Sequence, residues 1–322
     1  MKGADPQYPN LPLFAFLLGG LAFPAMLLAA EAVTGDQAPP IGQTAPDNPW
    51  HRLDTSKLEL RSQAALITDE RGHVIYSKNA DQPLPIASIT KLMTAMVVLD
   101  SGVPLDRNIA IKNADRDLVR LTGSRLRCER ATLSRRDLLE IALMASENRA
   151  AAALGRTTFE GGTEAFVARM NRKAQALGLS NTRFVDATGI STGNVSTASD
   201  LVKMLRAAGE YPLIRQATTS PEAEVHPYQQ AGALRYVNTN RLLKSDDWQI
   251  ELSKTGYINE SGRCLVMQAR LYDRTLDIVL LNSFGKLTPF GDSNRLRKWM
   301  GKELCENPLP AGRVGVPAGC ES

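Results

Sequence analysis

The chain has 322 residues, of which 43% are hydrophobic, and it contains no low-complexity block. This length is enough to bury a large core and suits one sizeable globular unit. The formal net charge of +4 is modest, and no nucleic-acid-binding motif is present. These properties exclude a disordered chain and give no support for a nucleic-acid partner.

The N-terminal segment has the layout of a secretory signal peptide. Lys2 is followed by an apolar, uncharged stretch over 11–30 and then by the small-x-small triplet Ala30-Glu31-Ala32. We therefore predict a signal peptide over 1–32 and a periplasmic protein that is soluble or loosely associated with the membrane or the wall. A stretch of about 20 apolar residues can also span a bilayer, so an uncleaved anchor is the alternative.

A proline entry followed by an apolar helical period predicts the helix that carries the first candidate residue. Pro83-Leu84-Pro85 breaks regular structure, and apolar residues then recur at helical spacing until Gly102. Ser88 lies in the first turn of this helix, and Lys91 follows three residues later on the same face. A serine hydroxyl needs an adjacent base to act as a nucleophile, and a lysine kept neutral by burial or by neighbouring positive charge can be that base.

Ser146-Glu147-Asn148 is predicted to be the turn between two helices. The first helix covers the apolar run over 138–145, and the second is alanine-rich, starts near Arg149 and ends at Gly155. Such a turn can present a hydroxyl and an amide to a cleft, whereas Glu147 is expected to face solvent or to cap the second helix. The chain before this turn is rich in arginine, which predicts either a solvated, salt-bridged face or a contact with an anionic polymer; these residues are Arg116, Arg120, Arg125, Arg127, Arg130, Arg135 and Arg136.

Lys254-Thr255-Gly256 ends a stretch in which apolar and polar residues alternate. Two further strand patterns follow, over 264–269 and 276–281, with short turns between them, so we predict three strands in an antiparallel meander. Gly256 has no side chain, so a substrate backbone can approach and pair along its strand. Lys254 and Thr255 can bind a carboxylate through charge and hydroxyl.

The three motifs are informative through their order and setting. Ser-x-x-Lys recurs at 283–286 after a strand-like run, and Ser-x-Asn recurs at 77–79, ahead of every candidate nucleophile. The nucleophile motif is expected to open a helix and the Ser-x-Asn motif to follow it in the chain, so neither repeat qualifies. The three histidines have no Gly-x-Ser-x-Gly elbow and no metal-ligand spacing, which argues against a histidine triad and against a zinc site; they are His51, His73 and His226.

The motifs and their flanking residues resemble those of the penicillin-recognising serine D,D-peptidases. The chain is most similar to low-molecular-mass penicillin-binding proteins of the D-alanyl-D-alanine endopeptidase type, from about residue 64 to residue 300. The segments that carry the resemblance are 85–96, 143–150, 181–189, 254–257 and 262–267. It implies an α+β fold like that of β-lactamases, in which helices flank an antiparallel sheet and a helical subdomain is inserted between the first and third motifs.

The resemblance also implies roles for the motif residues. Ser88 would be acylated and Lys91 would be the base, while Ser146 and Asn148 would relay protons and orient the substrate. Lys254 and Thr255 would hold the substrate beside Gly256, and the backbone N–H groups of Ser88 and Tyr257 would form the oxyanion hole. No metal or organic cofactor follows from it. The implied partners are peptidoglycan stem peptides, their cross-links and β-lactam inhibitors.

The implied reaction is endopeptidase cleavage of peptidoglycan cross-links. A D,D-carboxypeptidase of the same family is the main alternative, although the chain stops soon after Met300 and family carboxypeptidases often carry an extra C-terminal domain. A β-lactamase is less well supported, because the Glu-x-x-Leu-Asn segment of class A enzymes is absent and Asp186 is the nearest carboxylate. A catalytically silent wall-binding protein typically loses a motif residue, and none is lost here.

The remaining predictions concern boundaries and cysteines. We divide the chain after the signal peptide into a linker over 33–55, a catalytic domain over 56–304 and a short tail over 305–322. Four cysteines allow three pairings if all are bonded. Cys264 lies in an apolar strand pattern and is expected to be a small buried residue, whereas Cys305 and Cys320 are the predicted pair, with Cys128 as the fourth cysteine.

Overall fold

The structure, a computed structural model, describes residues 48–230, 232–309 and 320. The predicted signal peptide, the alternative anchor and the first part of the predicted linker lie outside these residues. Within the described part of the chain, no helix combines the length and the apolar character needed to cross a membrane.

Eleven strands and seven helices make up the described residues, apart from short 3-10 turns. The strands are β1 (Ala64–Asp69), β2 (Val74–Lys78), β3 (Leu84–Pro85), β4 (Asn108–Ala110), β5 (Thr132–Ser134), β6 (Val195–Ser196), β7 (Glu222–Val225), β8 (Leu234–Val237), β9 (Gln249–Ile258), β10 (Gly262–Leu271) and β11 (Arg274–Ser283). The helices are α1 (Thr90–Asp100), α2 (Arg135–Met144), α3 (Asn148–Thr158), α4 (Gly162–Ala176), α5 (Ala198–Gly209), α6 (Pro212–Thr219) and α7 (Thr288–Glu306).

Five of the strands form one antiparallel sheet in the order β2-β1-β11-β10-β9. The predicted meander is its β9-β10-β11 half. Lys254-Thr255-Gly256 was predicted to end the first of these strands, but β9 continues to Ile258, because the residues after Gly256 keep pairing with the start of β10. Strand β9 lies at one edge of the sheet.

Both faces of the sheet are covered, so β10 and β11 are buried along most of their length. Alternate residues of a strand point to opposite faces. In β10, Cys264 and Val266 belong to the core beneath the helical region, whereas Leu265 and Met267 belong to a second core. Helix α7 and the segment around Trp50 cover that second face.

The helical region lies between β2 and β9 in the chain. Helix α1 is its central element, with nine buried residues, and it contacts α2, α3, α4 and α5. The predicted end of α3 at Gly155 is wrong, since the helix continues to Thr158. Gly155 serves close packing there, because a Cβ at this position would lie 2.9 Å from the Cβ of Ala187.

The described part of the predicted linker packs on the domain. Trp50 and Leu53 are buried, and the Trp50 indole N–H donates to Asp69 Oδ2 at 2.8 Å. At the other end of the chain, the predicted Cys305–Cys320 disulfide is present, and Cys264 is a buried free thiol, as expected.

Candidate active site

The candidate nucleophile lies in a 3-10 turn over Ala87–Ile89 that leads directly into α1. Ser88 is therefore one turn ahead of the α-helix proper. Ala87 has a φ of +46°, a conformation that costs free energy for a residue with a side chain. This turn and the first turn of α1 bring Ser88 Oγ to 2.7 Å from Lys91 Nζ.

Lys91 is almost fully buried, with 1% of its surface exposed. Burial disfavours its charged form and lowers the pKa of Lys91 from 10.5 to about 7, although the negative charges of Asp186 and Glu147 partly oppose this effect. Besides Ser88, the amine contacts two oxygens, Asn148 Oδ1 at 2.8 Å and the backbone carbonyl of Thr188 at 2.6 Å.

A loop over 186–191 holds the Thr188 carbonyl in place. Oδ1 of Asp186 accepts the backbone N–H groups of Thr188 and Gly189, both at 2.6 Å, and Oδ2 accepts that of Ser191 at 2.9 Å. Gly189 has a φ of +83°, and a Cβ there would lie 2.0 Å from the carbonyl oxygen of Ala87. Only glycine allows this loop to lie against the turn that carries Ser88.

The turn between α2 and α3 supplies the second group of polar atoms. Ser146 has a φ of +61°, and Asn148 is the first residue of α3. The side-chain amide of Asn148 donates to Thr122 Oγ1 at 3.0 Å, so Asn148 is held on both sides, by Thr122 and by Lys91. Glu147 caps α3 by accepting from Arg149 N at 3.1 Å, and it is buried, so the alternative that it faces solvent is wrong.

The third group comes from β9. Lys254 Nζ donates to Ser146 Oγ at 3.0 Å and to the carbonyl of Thr255 at 2.9 Å. Burial, and then the charge of Lys91, lower the pKa of Lys254 well below 10.5. A Cβ on Gly256 would lie 3.2 Å from the backbone nitrogen of Ser88, so this glycine lets the strand approach the nucleophile.

These residues surround one cleft of about 700 Å³. Six of the eight predicted site residues line it, namely Ser88, Ser146, Asn148, Thr255, Gly256 and Tyr257. Lys91 and Lys254 are buried beneath it and reach Ser88 and Ser146 through their amines. Tyr257 is half-exposed, and its ring lies under the guanidinium of Arg263, 3.6 Å from the ring centroid.

Three threonines in the site were not among the predicted residues. They are Thr122, which binds Asn148; Thr188, whose carbonyl accepts from Lys91; and Thr239, whose hydroxyl accepts from Thr255 Oγ1 at 2.7 Å. Asp186-Ala187-Thr188-Gly189 carries a turn signal, an aspartate three residues before a glycine. Thr122 and Thr239 have no such signal, because only the tertiary fold brings them to the site.

The arginine-rich segment does not form one uniform solvated face. Arg135 is buried and donates to the carbonyls of Pro104 and Thr157. For this residue, the prediction of a solvated face and the prediction of a contact with an anionic polymer are both wrong. Arg120 donates to the carbonyl of Ile190 at 2.8 Å and to Glu260 Oε2 at 2.7 Å. It thereby ties the 186–191 loop to the turn after β9.

The three histidines lie outside the cleft lining. His51 and His226 are exposed, and His73 Nδ1 lies 3.0 Å from Asp69 Oδ2 in the turn after β1. Within the described residues, none of the three contacts a serine hydroxyl, in agreement with the argument against a histidine triad.

Comparison with known proteins identifies the family. The family model described as D-alanyl-D-alanine carboxypeptidase, Peptidase S11, matches residues 51–285. This chain belongs to that family. It is 50% identical over 246 residues to a D-alanyl-D-alanine endopeptidase of Pseudomonas aeruginosa, covering 75% of this chain and 78% of the relative. It is 45% identical over 262 residues to a D-alanyl-D-alanine endopeptidase of Escherichia coli, covering 80% and 83%.

Solved structures confirm the predicted fold. The Streptomyces K15 DD-transpeptidase superposes with a TM-score of 0.70 at 27% identity, covering 76% of this chain and 98% of that one. Penicillin-binding protein D2 of Listeria monocytogenes, in its ampicillin-bound form, has a TM-score of 0.64 at 30% identity, covering 75% and 98%. The predicted membership among the serine D,D-peptidases and the predicted α+β architecture are therefore confirmed.

Proposed function

We propose that this protein is a serine D-alanyl-D-alanine endopeptidase that hydrolyses peptidoglycan cross-links through an acyl-enzyme on Ser88. The observation that carries the proposal is the 2.7 Å contact between Ser88 Oγ and the amine of buried Lys91 in a cleft. Two relatives that are 50% and 45% identical over the aligned residues bear the endopeptidase name.

The contacts of Lys91 suit it to accept the serine proton. A neutral amine has two N–H groups and one lone pair. The oxygens of Asn148 and Thr188 accept the two N–H groups, which leaves the lone pair for the third contact, Ser88 Oγ. With a pKa of about 7, a large share of Lys91 is neutral near neutral pH, so it can act as the general base when Ser88 attacks.

Acylation also needs stabilisation of the oxyanion and a proton for the leaving amine. The backbone N–H groups of Ser88 and Tyr257 are the proposed oxyanion donors, and Gly256 keeps the two segments close. Protonated Lys91 and the Ser146 hydroxyl, which accepts a hydrogen bond from Lys254, are the proposed path for the proton. Water then attacks the acyl carbonyl while Lys91 takes its proton, and Lys91 returns that proton to Ser88 Oγ as the ester bond breaks.

The substrate is proposed to lie along β9. This strand is at the sheet edge, where the backbone of an extended peptide can pair with it. Lys254 and Thr255 would bind the carboxylate beside the scissile bond. In a cross-link that carboxylate belongs to the neighbouring stem peptide, whereas in a carboxypeptidase substrate it is the terminal carboxylate of D-alanine.

A β-lactamase would need a group that activates water quickly against a penicilloyl-enzyme. Asp186 is the nearest carboxylate in the corresponding loop, and both of its oxygens accept backbone N–H groups. This arrangement fits a penicillin-inhibited peptidase with a long-lived penicilloyl-enzyme.

The test is muropeptide analysis by mass spectrometry after incubation of the purified protein with cross-linked peptidoglycan. We expect dimers to become monomers, with little release of free D-alanine from monomeric pentapeptide, and no change with Ser88→Ala. Rapid D-alanine release with intact dimers would identify a carboxypeptidase instead. Rapid turnover of penicillin would support a β-lactamase.

Export to the periplasm, with loose association with the membrane or the wall, is part of the proposal. It is supported by the N-terminal pattern of Lys2, the apolar stretch and Ala30-Glu31-Ala32 and by the extracytoplasmic location of peptidoglycan. Sequencing of the mature N-terminus tests it, with cleavage near Ala32 expected. An intact Met1 in the membrane fraction would favour an uncleaved anchor.

A further inference from the structure

The cleft that contains the candidate catalytic residues also has several cations in its lining. The four cations in its lining are Arg241, Lys244, Arg263 and Lys286, which we call the basic arm. Three separate segments supply these residues. Arg241 and Lys244 lie in the 3-10 turn before β9, Arg263 lies on β10, and Lys286 lies in the loop between β11 and α7.

The basic arm has no acidic counterpart. Among the described residues that line the cleft, none is an aspartate or a glutamate. None of the four cations of the basic arm has its charged group within 4.0 Å of a carboxylate of the described residues. The neighbouring surface is different, since Arg297 binds Asp247 Oδ2 at 2.8 Å and Arg295 binds Asp292. The positive charge in the cleft lining is therefore left without a carboxylate partner, unlike that of Arg295 and Arg297.

Two parts of the basic arm are held in place by neighbouring groups. The guanidinium of Arg263 lies 3.6 Å from the centroid of the Tyr257 ring, a cation–π contact that leaves its N–H groups available. Asn240 fixes the turn that carries Arg241, because its Oδ1 accepts from Leu242 N at 3.0 Å and its amide donates to Ser253 Oγ at 3.0 Å. Arginine N–H groups in such positions suit carboxylate recognition.

We propose that the basic arm binds carboxylates of the leaving stem peptide, the part of the cross-link that departs when Ser88 is acylated. This inference rests on the proposed function and deepens it. A carboxypeptidase substrate ends at the carboxylate held by Lys254 and Thr255, so it has nothing to place in the arm. A cross-linked substrate continues past that point as a second peptide with further carboxylates. The arm thus favours cross-linked dimers over single stem peptides.

The test compares Lys244→Gln/Lys286→Gln with wild type on two dimers that both keep the carboxylate beside the scissile bond. The other carboxylates of the leaving stem are free in one dimer and amidated in the second. Both lysines are exposed, so the double variant is expected to fold. Each exposed ion pair contributes a factor of a few to binding, so we expect about a tenfold loss in kcat/KM on the free-carboxylate dimer, mainly through KM. On the amidated dimer the loss should be below about threefold, and wild type should itself lose about tenfold on amidation.

Lys298→Gln is the matched control, because Lys298 is exposed on α7 outside the cleft lining, and it should cut both dimers as wild type does. The acylation rate with penicillin, which has no leaving stem, should change at least fivefold less than the dimer rate. Equal losses on the two dimers, or no loss on either, would overturn the inference while leaving the endopeptidase assignment intact. If wild type is acylated by penicillin but cuts neither dimer, the endopeptidase assignment and the inference both fail.

Discussion

The chain contains the Ser-x-x-Lys pattern twice, and the structure places the two copies in opposite settings. Ser88 lines the cleft, and its hydroxyl contacts the amine of buried Lys91. Ser283 ends β11, is itself buried, and lies with its hydroxyl 2.8 Å from that of Ser62. Lys286 is exposed in the following loop.

The difference shows how secondary structure turns a sequence pattern into a reactive pair. On a helical turn, residues three apart share a face, so the serine and the lysine meet. After a strand, the same spacing runs into a loop and the two side chains separate. Burial then decides the chemistry, since it lowers the pKa of Lys91 to about 7, whereas exposed Lys286 is free to bind an anion.

The largest expected effect separates the two serines. Ser88→Ala should abolish covalent labelling by a fluorescent penicillin, because no other hydroxyl among the described residues contacts Lys91. Ser283→Ala should keep the label and cost only about 1 kcal/mol of unfolding free energy, through its lost hydrogen bond. Labelling is read on a denaturing gel and stability by thermal unfolding. A labelled Ser88→Ala protein would contradict the assignment of the nucleophile.

Lys91→Arg comes next, because guanidinium stays protonated and cannot act as a base. The expected loss in the acylation rate is about 10²–10⁴-fold, the usual contribution of a general base. Lys286→Arg changes the lysine of the second Ser-x-x-Lys pattern and is the matched control. This variant should be acylated by penicillin at the wild-type rate in stopped-flow assays. A loss below about tenfold for Lys91→Arg would transfer the base role to another group, with Ser146 as the first candidate.

Gly189→Ala tests whether the loop at 186–191 holds Ser88 and Lys91 in their reactive geometry. The added Cβ would lie 2.0 Å from the carbonyl oxygen of Ala87, at a φ of +83°, so the turn that carries Ser88 must shift. A displacement of about 1 Å in a catalytic group can cost about 10²-fold, and we expect a loss of that order in acylation. Gly123→Ala is the control, since nothing lies within 4 Å of its added Cβ. Equal rates for the two variants would show that the close approach is unimportant.

The three motifs could be found in the sequence because each is local, and the fold class followed from the family resemblance that they carry. Ser88, Ser146 and Lys254 stand beside proline, turn and strand signals that a single segment carries. The fold and the family are confirmed by the comparisons. The end of α3 was missed because Gly155, usually a stop signal, is used for packing against Ala187.

The partners of the motif residues could not be predicted in the same way. Thr122, Thr188 and Thr239 reach Asn148, Lys91 and Thr255 across separations of 16 to 97 residues. The basic arm is similar, since its four cations come from three segments and only the folded cleft shows them together. Site residues that lie within one segment could be predicted from the sequence, whereas contacts between residues of several segments could be identified only in the structure.

The smallest expected effect is the pH dependence of acylation, which distinguishes the buried lysine from an ordinary one. The base is the neutral amine of Lys91, and its pKa is about 7. Protonation therefore removes the base as the pH falls below about 7, and the rate should rise with pH through this value and then level off. At about one pH unit below the pKa only about one-tenth of the amine is neutral, so acylation should be about tenfold slower than on the plateau. The measurement is the second-order rate constant for penicillin acylation between about pH 5.5 and 10. A rate that keeps rising tenfold per unit up to about pH 10 would mean that Lys91 keeps the ordinary pKa of a lysine side chain, and that burial does not prepare it as the base.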